Sequence, residues 1–190
     1  KVMGAGMKEF GFVMAGGKEI LLKGLNRVNV ILGRNGSGKS RLLREFDEMM
    51  FTNAQFRVRY VTPERAGTFQ RDGSVDTNTS TIPQWASNTR RNNQAPSFKQ
   101  MSHLHLREAE FKFLRGLENS DARGKTFQSE CLDPISRLLS NVSIERSEAD
   151  YQFRISNGEE VRPGQLSSGE SEAIALASEL LSFFRGIDPD

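Results

Sequence analysis

Apolar and polar residues alternate near the start of the chain in a way that predicts two short strands. The strands are expected over residues 10–14 and 19–22, and the Ala-Gly-Gly sequence at 15–17 indicates a hairpin turn between them. Residues 28–32 form an apolar, β-branched run, which is typical of a buried central strand. Residues 56–61 alternate again, so a further strand is predicted there.

Helical spacing of apolar residues appears directly after the first glycine-rich sequence. A helix is predicted over residues 40–50, where the apolar residues on one face are Leu42, Leu43, Phe46, Met49 and Met50. The later predicted elements are helices at 102–117, 126–140 and 169–184, strands at 142–145 and 151–155, and a turn at 157–158. The last helix is apolar around much of its circumference and is therefore expected to be buried.

The composition changes between residues 66 and 101, where Asn, Thr, Ser and Gln are frequent and aliphatic residues are few. Such a stretch predicts a long polar loop or lid. The expected organisation is an N-terminal lobe over 1–65, a polar loop or lid insertion over 66–101, a helical and β-hairpin subdomain over 102–160, and a final loop and helix over 161–190.

Composition and charge narrow the class of protein. Apolar residues make up 36% and charged residues 26% of the chain, which is typical of soluble globular proteins. No apolar run approaches the roughly 20 residues that span a bilayer, so no membrane contact is expected. Cys131 alone cannot form an internal disulfide, which fits a cytoplasmic location. His103 and His105 would face different directions on a helix, which argues against a metal site.

A glycine-rich sequence lies between the predicted strand at 28–32 and the predicted helix at 40–50. Residues 33–40 match the phosphate-binding pattern G-x-x-x-x-G-K-[ST]. Glycines let the backbone curl so that several amide N–H groups point at one phosphate, and the following helix adds the positive end of its dipole. The predicted nucleotide-binding residues are Gly33, Arg34, Asn35, Gly36, Ser37, Gly38, Lys39, Ser40 and Arg41.

Two side chains of this loop have specific expected roles. The Lys39 ammonium can reach the β- and γ-phosphates of a nucleotide, and the Ser40 hydroxyl can hold Mg²⁺. The sequence therefore predicts ATP and Mg²⁺ as cofactors.

A second motif, Leu-Ser-Ser-Gly-Glu at 166–170, precedes the last predicted helix. Ser167 with Glu170 three residues later has the pattern of a capping box, which is the structural interpretation. In the functional interpretation, Ser168 offers a hydroxyl, Gly169 allows a close backbone approach, and the helix N-terminus favours an anion. The residues alone leave both interpretations open.

The P-loop at 33–40, the motif at 166–170 and the apolar helix that follows it together resemble the ABC ATPase superfamily. The resemblance implies an α/β P-loop NTPase fold: an ABC-ATPase head with an N-terminal antiparallel β hairpin, a central mixed sheet and a helical or loop insertion. It also implies a signature loop that acts in trans on the γ-phosphate bound by a second copy, formed by Ser167, Ser168, Gly169 and Glu170. ATP would then hold a homo-oligomer together, as a dimer or a higher assembly.

Within this superfamily, Asn35, Ser37 and the Leu-Ser-Ser-Gly-Glu-Ser-Glu run resemble SMC- and RecF-like DNA-repair heads. With the Val-Thr-Pro-Glu-Arg sequence at 61–65, they also resemble AAA-family ATPases of bacterial anti-phage defence, of the overcoming-lysogenisation-defect, Septu and retron-associated types. The resemblance implies an ATP-dependent switch that acts on an effector protein such as a nuclease or toxin.

Several parts of such an ATPase are not found in the sequence, namely the Walker B strand and the D-loop and switch histidine that follow it in the family. A Walker B strand would be four apolar residues ending in Asp-Glu, and the run before Asp188 is broken by Arg185 and Gly186. No catalytic residue is therefore assigned, and the C-terminal half from Walker B onward is expected to lie outside this chain. The complete protein is expected to be an ATPase, whereas this segment alone would lack hydrolysis.

Basic residues outnumber acidic ones between positions 54 and 116. The excess charge, with Trp85 and Phe98 available for stacking, suits a nucleic acid, and a solvated or protein-binding face is the alternative. Two other functions stay open beside the ATPase head. They are the nucleotide-binding subunit of an ABC transporter, and a scaffold that holds ATP without hydrolysing it.

Overall fold

The computed structural model describes residues 9–13, 17–26, 28–51, 57–61, 68–92, 95–118, 124–148 and 150–185. The chain divides into two compact units, residues 1–60 and residues 61–190. The first unit carries a β hairpin and the glycine-rich loop, and the second carries most of the helices and the main hydrophobic core.

The first unit opens with the predicted antiparallel hairpin. Strand β1 spans Glu9–Val13 and strand β2 spans Glu19–Lys23, with Phe10 opposite Leu22. Of the predicted turn, residues 15 and 16 lie outside the described residues. Helix α1 spans Lys39–Phe51 and follows the glycine-rich loop. The predicted hairpin and the predicted first helix are therefore confirmed.

The strands predicted at 28–32 and 56–61 are not formed in the described residues. Residues 28–34 and 57–61 have no strand pairing, and Val28, Val30 and Leu32 are 79%, 75% and 88% exposed. A strand that is apolar on both faces becomes buried only where neighbouring strands and layers cover it. The described hairpin consists of β1 and β2 alone, so these apolar side chains stay at the surface.

The segment 66–101, predicted to be a polar loop or lid, is helical where the structure describes it. It contains α2, Gly73–Thr81, then α3, Trp85–Arg91, and the start of α4, Ala95–Glu118. The prediction of a loop is therefore wrong for these residues. The low aliphatic content did not indicate these helices, because local hydrogen bonds and a small hydrophobic core accompany them.

Side chains hydrogen-bond to the backbone throughout α2. Asp72 caps the helix, since its Oδ1 accepts from the N–H and the hydroxyl of Ser74 at 2.8 and 2.6 Å. The hydroxyls of Thr77 and Thr81 donate to the carbonyls four residues earlier, at 2.9 and 2.8 Å. The few apolar side chains of the segment suffice for a small core of Val75, Ala86 and Met101.

The rest of the second unit combines short helices, a small sheet and a long last helix. A π-helix, Gln128–Leu132, runs into α5, Asp133–Ser136, in place of the single helix predicted at 126–140. Strands β3, Val142–Arg146, β4, Tyr151–Ile155, and β5, Glu160–Val161, form an antiparallel sheet in that order. Helix α6 spans Ser168–Phe184. The predicted strands at 142–145 and 151–155 and the last helix are confirmed.

The main core lies between α4, α6, the π-helix region and the three-stranded sheet. Its buried side chains include Phe69, Leu106, Phe113, Phe127, Leu132, Ile144, Phe153 and Ile174. The fold is mixed α/β with two small antiparallel sheets. The central mixed sheet that the resemblance implies is not present among the described residues, because every described strand pair is antiparallel. None of the described helices is long and apolar enough to cross a membrane.

Helix α6 is buried on one face and not around most of its apolar circumference. Its buried residues are Ser171, Ile174, Ala175, Ser178, Glu179 and Ser182. Leu180 and Phe184 are 44% and 73% exposed, so the expectation that the apolar circumference is buried is wrong for these two residues. The buried face of α6 combines Ile174 and Ala175 with serines and Glu179, and α6 packs against α4.

Candidate nucleotide-binding site

The predicted phosphate loop is a closed turn at the start of α1. The Ser37 N–H donates to the Arg34 carbonyl at 3.1 Å, and the Leu42 N–H donates to the Gly38 carbonyl at 2.9 Å, which is the first bond of the helix. Residues 33–37 are exposed, so a ligand can reach the loop from solvent.

The backbone angles favour glycine at two positions of this loop, and at a third an added side chain would displace a neighbouring hydroxyl. Gly36 and Gly38 have φ angles of 79° and 89°, in the left-handed region that side-chain-bearing residues rarely adopt. At Gly33 the φ angle is ordinary, but an added Cβ would lie 2.6 Å from Ser37 Oγ. The sequence pattern therefore corresponds to conformational needs of the backbone as well as to close packing inside the turn.

The Lys39 side chain folds back over the loop. Its Nζ donates hydrogen bonds to the carbonyls of Gly33 and Arg34 at 2.7 and 2.8 Å. These contacts hold the positive charge beside the first residues of the loop. Phosphate oxygens could replace the two carbonyls, because a charged acceptor binds an ammonium more strongly than a neutral one.

Helix α1 presents its N-terminus to the same loop. The N–H groups of Lys39 and Ser40 precede the first intrahelical bond, so they have no acceptor within the helix. The first turn has no acidic residue that would repel or replace a phosphate. Ser40 is exposed in that turn, where its hydroxyl can meet a cation that accompanies the phosphate.

Arg41 contacts an acidic residue on its own helix. Its Nε donates to Glu45 Oε1 at 2.8 Å, one turn along the helix. This part of the guanidinium is therefore directed along α1, and the structure gives Arg41 a helix-stabilising contact beside its predicted role.

The motif at 166–170 forms the N-terminal cap of α6. The Glu170 N–H donates to Ser167 Oγ at 3.3 Å, and Glu170 Oε2 accepts from the Ser167 N–H at 3.0 Å and from the Ser167 hydroxyl at 2.7 Å. The capping box is therefore confirmed. Ser168 and Gly169 are exposed, and no atom would lie within 4 Å of a Cβ at Gly169. The functional interpretation of these two residues stays a prediction.

The two motifs belong to different units of the chain, the P-loop to residues 1–60 and the motif at 166–170 to residues 61–190. The predicted residues of each motif are adjacent within their own unit. A site shared between two copies of the chain would combine the P-loop of one copy with the 166–170 motif of the other, so the residues of each motif must lie together within their own unit.

Several basic residues of the segment 54–116 are either buried or paired with a carboxylate. Arg90 and Lys99 are only 4% and 6% exposed. Arg71 Nε and Arg107 Nη1 both contact Asp76 Oδ2, at 3.2 and 3.4 Å. Residues 62–65 and the side chain of Phe98 lie outside the described part. Nucleic-acid contact stays a prediction, with fewer available cations than the sequence indicated.

A buried charged cluster, which the sequence did not indicate, lies where α3, α4 and α6 meet. Arg90 Nε is 3.8 Å from Glu179 Oε2, His105 Nδ1 is 3.1 Å from Glu179 Oε1, and Arg90 Nη2 is 3.5 Å from His105 Nε2. Because arginine only donates, the Arg90–His105 contact is a hydrogen bond when His105 Nε2 carries no proton. The signal that could have found the cluster is the helical spacing of serines around Glu179.

A second polar group joins α4 to strand β4 and the turn before it. His103 Nε2 is 2.7 Å from Asp150 Oδ1, and the Tyr151 hydroxyl donates to Glu110 Oε2 at 2.7 Å. Burial lowers the pKa of His103, and the facing Asp150 only partly opposes this effect. Burial and the Glu110 carboxylate raise the pKa of Tyr151. Glu110, Asp150 and Tyr151 border a polar cavity of about 90 Å³.

The exposed turn at 33–38 and the N-terminus of α1 have the donors that an anion requires. Among the described residues, no group of three His, Cys, Asp or Glu side chains could hold a metal ion by itself. A comparison with protein families, curated proteins and solved structures found no match for the chain.

Proposed function

We propose that this chain binds ATP with Mg²⁺ through residues 33–41 and is the nucleotide-binding part of an ABC-type ATPase head. The observation that carries the proposal is the closed turn before α1, in which Lys39 Nζ lies 2.7 and 2.8 Å from the carbonyls of Gly33 and Arg34. Two left-handed glycines and a helix N-terminus in one exposed turn suit a phosphate chain.

Each part of the loop has a role in the proposed complex. The amides of Lys39 and Ser40 and the helix dipole hold the phosphates, and the Lys39 ammonium leaves its two carbonyls to bind the β- and γ-phosphates. The Ser40 hydroxyl ligates Mg²⁺, which neutralises part of the phosphate charge.

The second element of the proposal is dimerisation on ATP. Ser168 and Gly169 are exposed at the N-terminus of α6, where a phosphate bound to another copy can approach. Two copies related by two-fold symmetry would form two equivalent nucleotide sites. ATP binding and release would then change the contact that the pair makes with an effector protein in phage defence or DNA repair.

The proposed head has one requirement that the described residues do not meet. In such a head the apolar run 28–32 is a buried strand, whereas Val28, Val30 and Leu32 are exposed here. The proposal therefore requires that other strands pair with this run in the assembled head.

The direct test is calorimetric titration of the purified chain with ATP and Mg²⁺. Lys39→Ala removes a charge-assisted contact of about 1.5–3 kcal/mol, so ATP binding should weaken by roughly 10-fold to more than 100-fold. Lys125→Ala is the matched control, because Lys125 is an exposed lysine outside both motifs. If Lys39→Ala binds ATP as tightly as the parent protein does, the assignment is wrong.

Dimerisation and hydrolysis are tested separately on the same samples. Light scattering with and without ATP should report an ATP-dependent dimer that Ser168→Ala weakens, while ATP binding by that variant stays intact. A phosphate-release assay distinguishes an ATPase from a scaffold that holds ATP. Tight ATP binding with no release at saturating ATP would favour the scaffold.

A further inference from the structure

An apolar groove of about 350 Å³ lies within the second unit, between residues 130–138 and helix α6. The α6 side of the groove is a single helix face, whose residues recur at helical spacing: Ala173, Leu176, Ala177, Leu180 and Leu181. The buried face of α6 is a different one, which carries Ile174 and Ser178. Helix α6 therefore has a second face that is apolar and is not fully buried.

The opposite wall of the groove runs in the reverse direction to α6. Arg185 Nη2, just beyond the C-terminus of α6, donates a hydrogen bond to Cys131 Sγ at 3.2 Å. Residues near Cys131 therefore lie beside the end of α6, and Leu138, seven residues later along the wall, lies toward the start of α6. The groove has two distinct ends, which we call the Glu130 end and the Leu138 end.

The two ends of the groove present side chains of different size. At the Glu130 end, Phe184 continues the groove face of α6 one turn beyond Leu180 and is 73% exposed. At the Leu138 end, the groove face of α6 carries the small residues Ala173 and Ala177. A two-fold rotation exchanges the ends, so the large side chain of one copy meets the small side chains of another.

The two ends also carry opposite charges. Glu130 borders one end, and Arg137, next to Leu138, lies at the other. Both side chains are exposed, and the structure shows no ion pair for either of them among the residues that it describes. The same two-fold rotation brings Glu130 of each copy toward Arg137 of the other. Opposite charges favour this orientation, because the reverse one would bring like charges together.

We propose that the apolar groove is a homodimer interface, in which two copies of the chain pack with Phe184 of each against Ala173 and Ala177 of the other. The contact involves neither a nucleotide nor the P-loop, so it is additional to the ATP-dependent contact proposed above. A stable interface has about 20–30 residues on each side, and the groove with its two ends offers fewer. The dissociation constant should therefore be in the micromolar range.

Sedimentation equilibrium of the purified chain without nucleotide tests this proposal. The mass should rise from that of a monomer to that of a dimer between about 1 μM and about 1 mM, and no further, because a two-fold contact is closed. Phe184→Ser should weaken the dimer at least about tenfold, since it removes a large apolar side chain from both halves of the interface. Phe111→Ser is the matched control and should have no effect, because Phe111 is 55% exposed on α4, outside the groove.

Charge reversal tests the orientation of the two copies. Glu130→Arg and Arg137→Glu should each weaken the dimer by roughly tenfold, because each variant brings like charges together at both ends of the interface. An equimolar mixture of the two variants should associate as the parent chain does, because every charge pair between the two different chains is then attractive. A folding defect in either variant would not be rescued by mixing.

Three results would overturn the proposal. The first is a chain that stays monomeric up to about 1 mM, which would favour an amphipathic helix of another protein as the occupant of the groove. The second is equal dimerisation of Phe184→Ser and Phe111→Ser. The third is a mixture of the two charge variants that associates no better than each variant alone. None of these results bears on ATP binding, which the titration of Lys39→Ala measures separately.

Discussion

The substitution Gly38→Ala tests the phosphate loop through its backbone alone. Gly38 has a φ angle of 89°, and an added Cβ would meet no atom within 4 Å. The penalty is therefore conformational, and left-handed backbone costs a residue with a side chain about 1–2 kcal/mol. Because the loop is exposed, it can relax into another shape without unfolding the first unit. The strain should then weaken ATP binding by roughly 5–30-fold, which is the equivalent of this penalty.

Titration calorimetry with ATP and Mg²⁺ measures the effect, and Gly116→Ala is the control. Gly116 lies inside α4, where the φ angle is ordinary and nothing lies within 4 Å of an added Cβ. This control should raise the free energy of unfolding by about 0.5–1 kcal/mol and leave ATP binding unchanged. If Gly38→Ala binds ATP as well as the parent protein does, the loop does not hold phosphate in the conformation described.

Three further outcomes follow from individual contacts. Ser167→Ala should lower the free energy of unfolding by about 1 kcal/mol because it removes the α6 cap, whereas Ser168→Ala should leave thermal unfolding unchanged. Burial lowers the pKa of His103 in the folded chain. As the pH falls below about 6.5, the unfolded chain therefore takes up a proton first, and the free energy of unfolding should decrease. Urea unfolding of His103→Gln should show a smaller decrease over the same pH range. Gln84 has a φ angle of 57°, so Gln84→Gly should raise the melting temperature slightly.

The elements that could be predicted from sequence are those in which the spacing of apolar residues agrees with a local turn or capping motif. Strand β4 alternates and is followed by an Asn-Gly turn, and α6 begins at a Ser-x-x-Glu capping box. The turn before α1 was also predictable, because its glycines at 36 and 38 adopt the left-handed angles that only glycine adopts easily.

The elements that could not be predicted depend on tertiary surroundings. Residues 28–32 have the composition of a buried strand, and whether such a run is covered depends on strands elsewhere in the fold. Helices α2 and α3 contain few apolar residues, so their sequences resemble loops. Arg90 was counted as a surface cation because nothing in its sequence neighbours indicates the buried Glu179 that faces it.

The central claim is that the amides of the P-loop and the Lys39 ammonium hold a triphosphate. The most direct measurement is an amide NMR titration of the chain with ATP and Mg²⁺. We predict large shifts for the amides of Gly36, Gly38, Lys39 and Ser40, which disappear in Lys39→Ala. Saturating ATP that leaves these four amides unshifted would contradict the account.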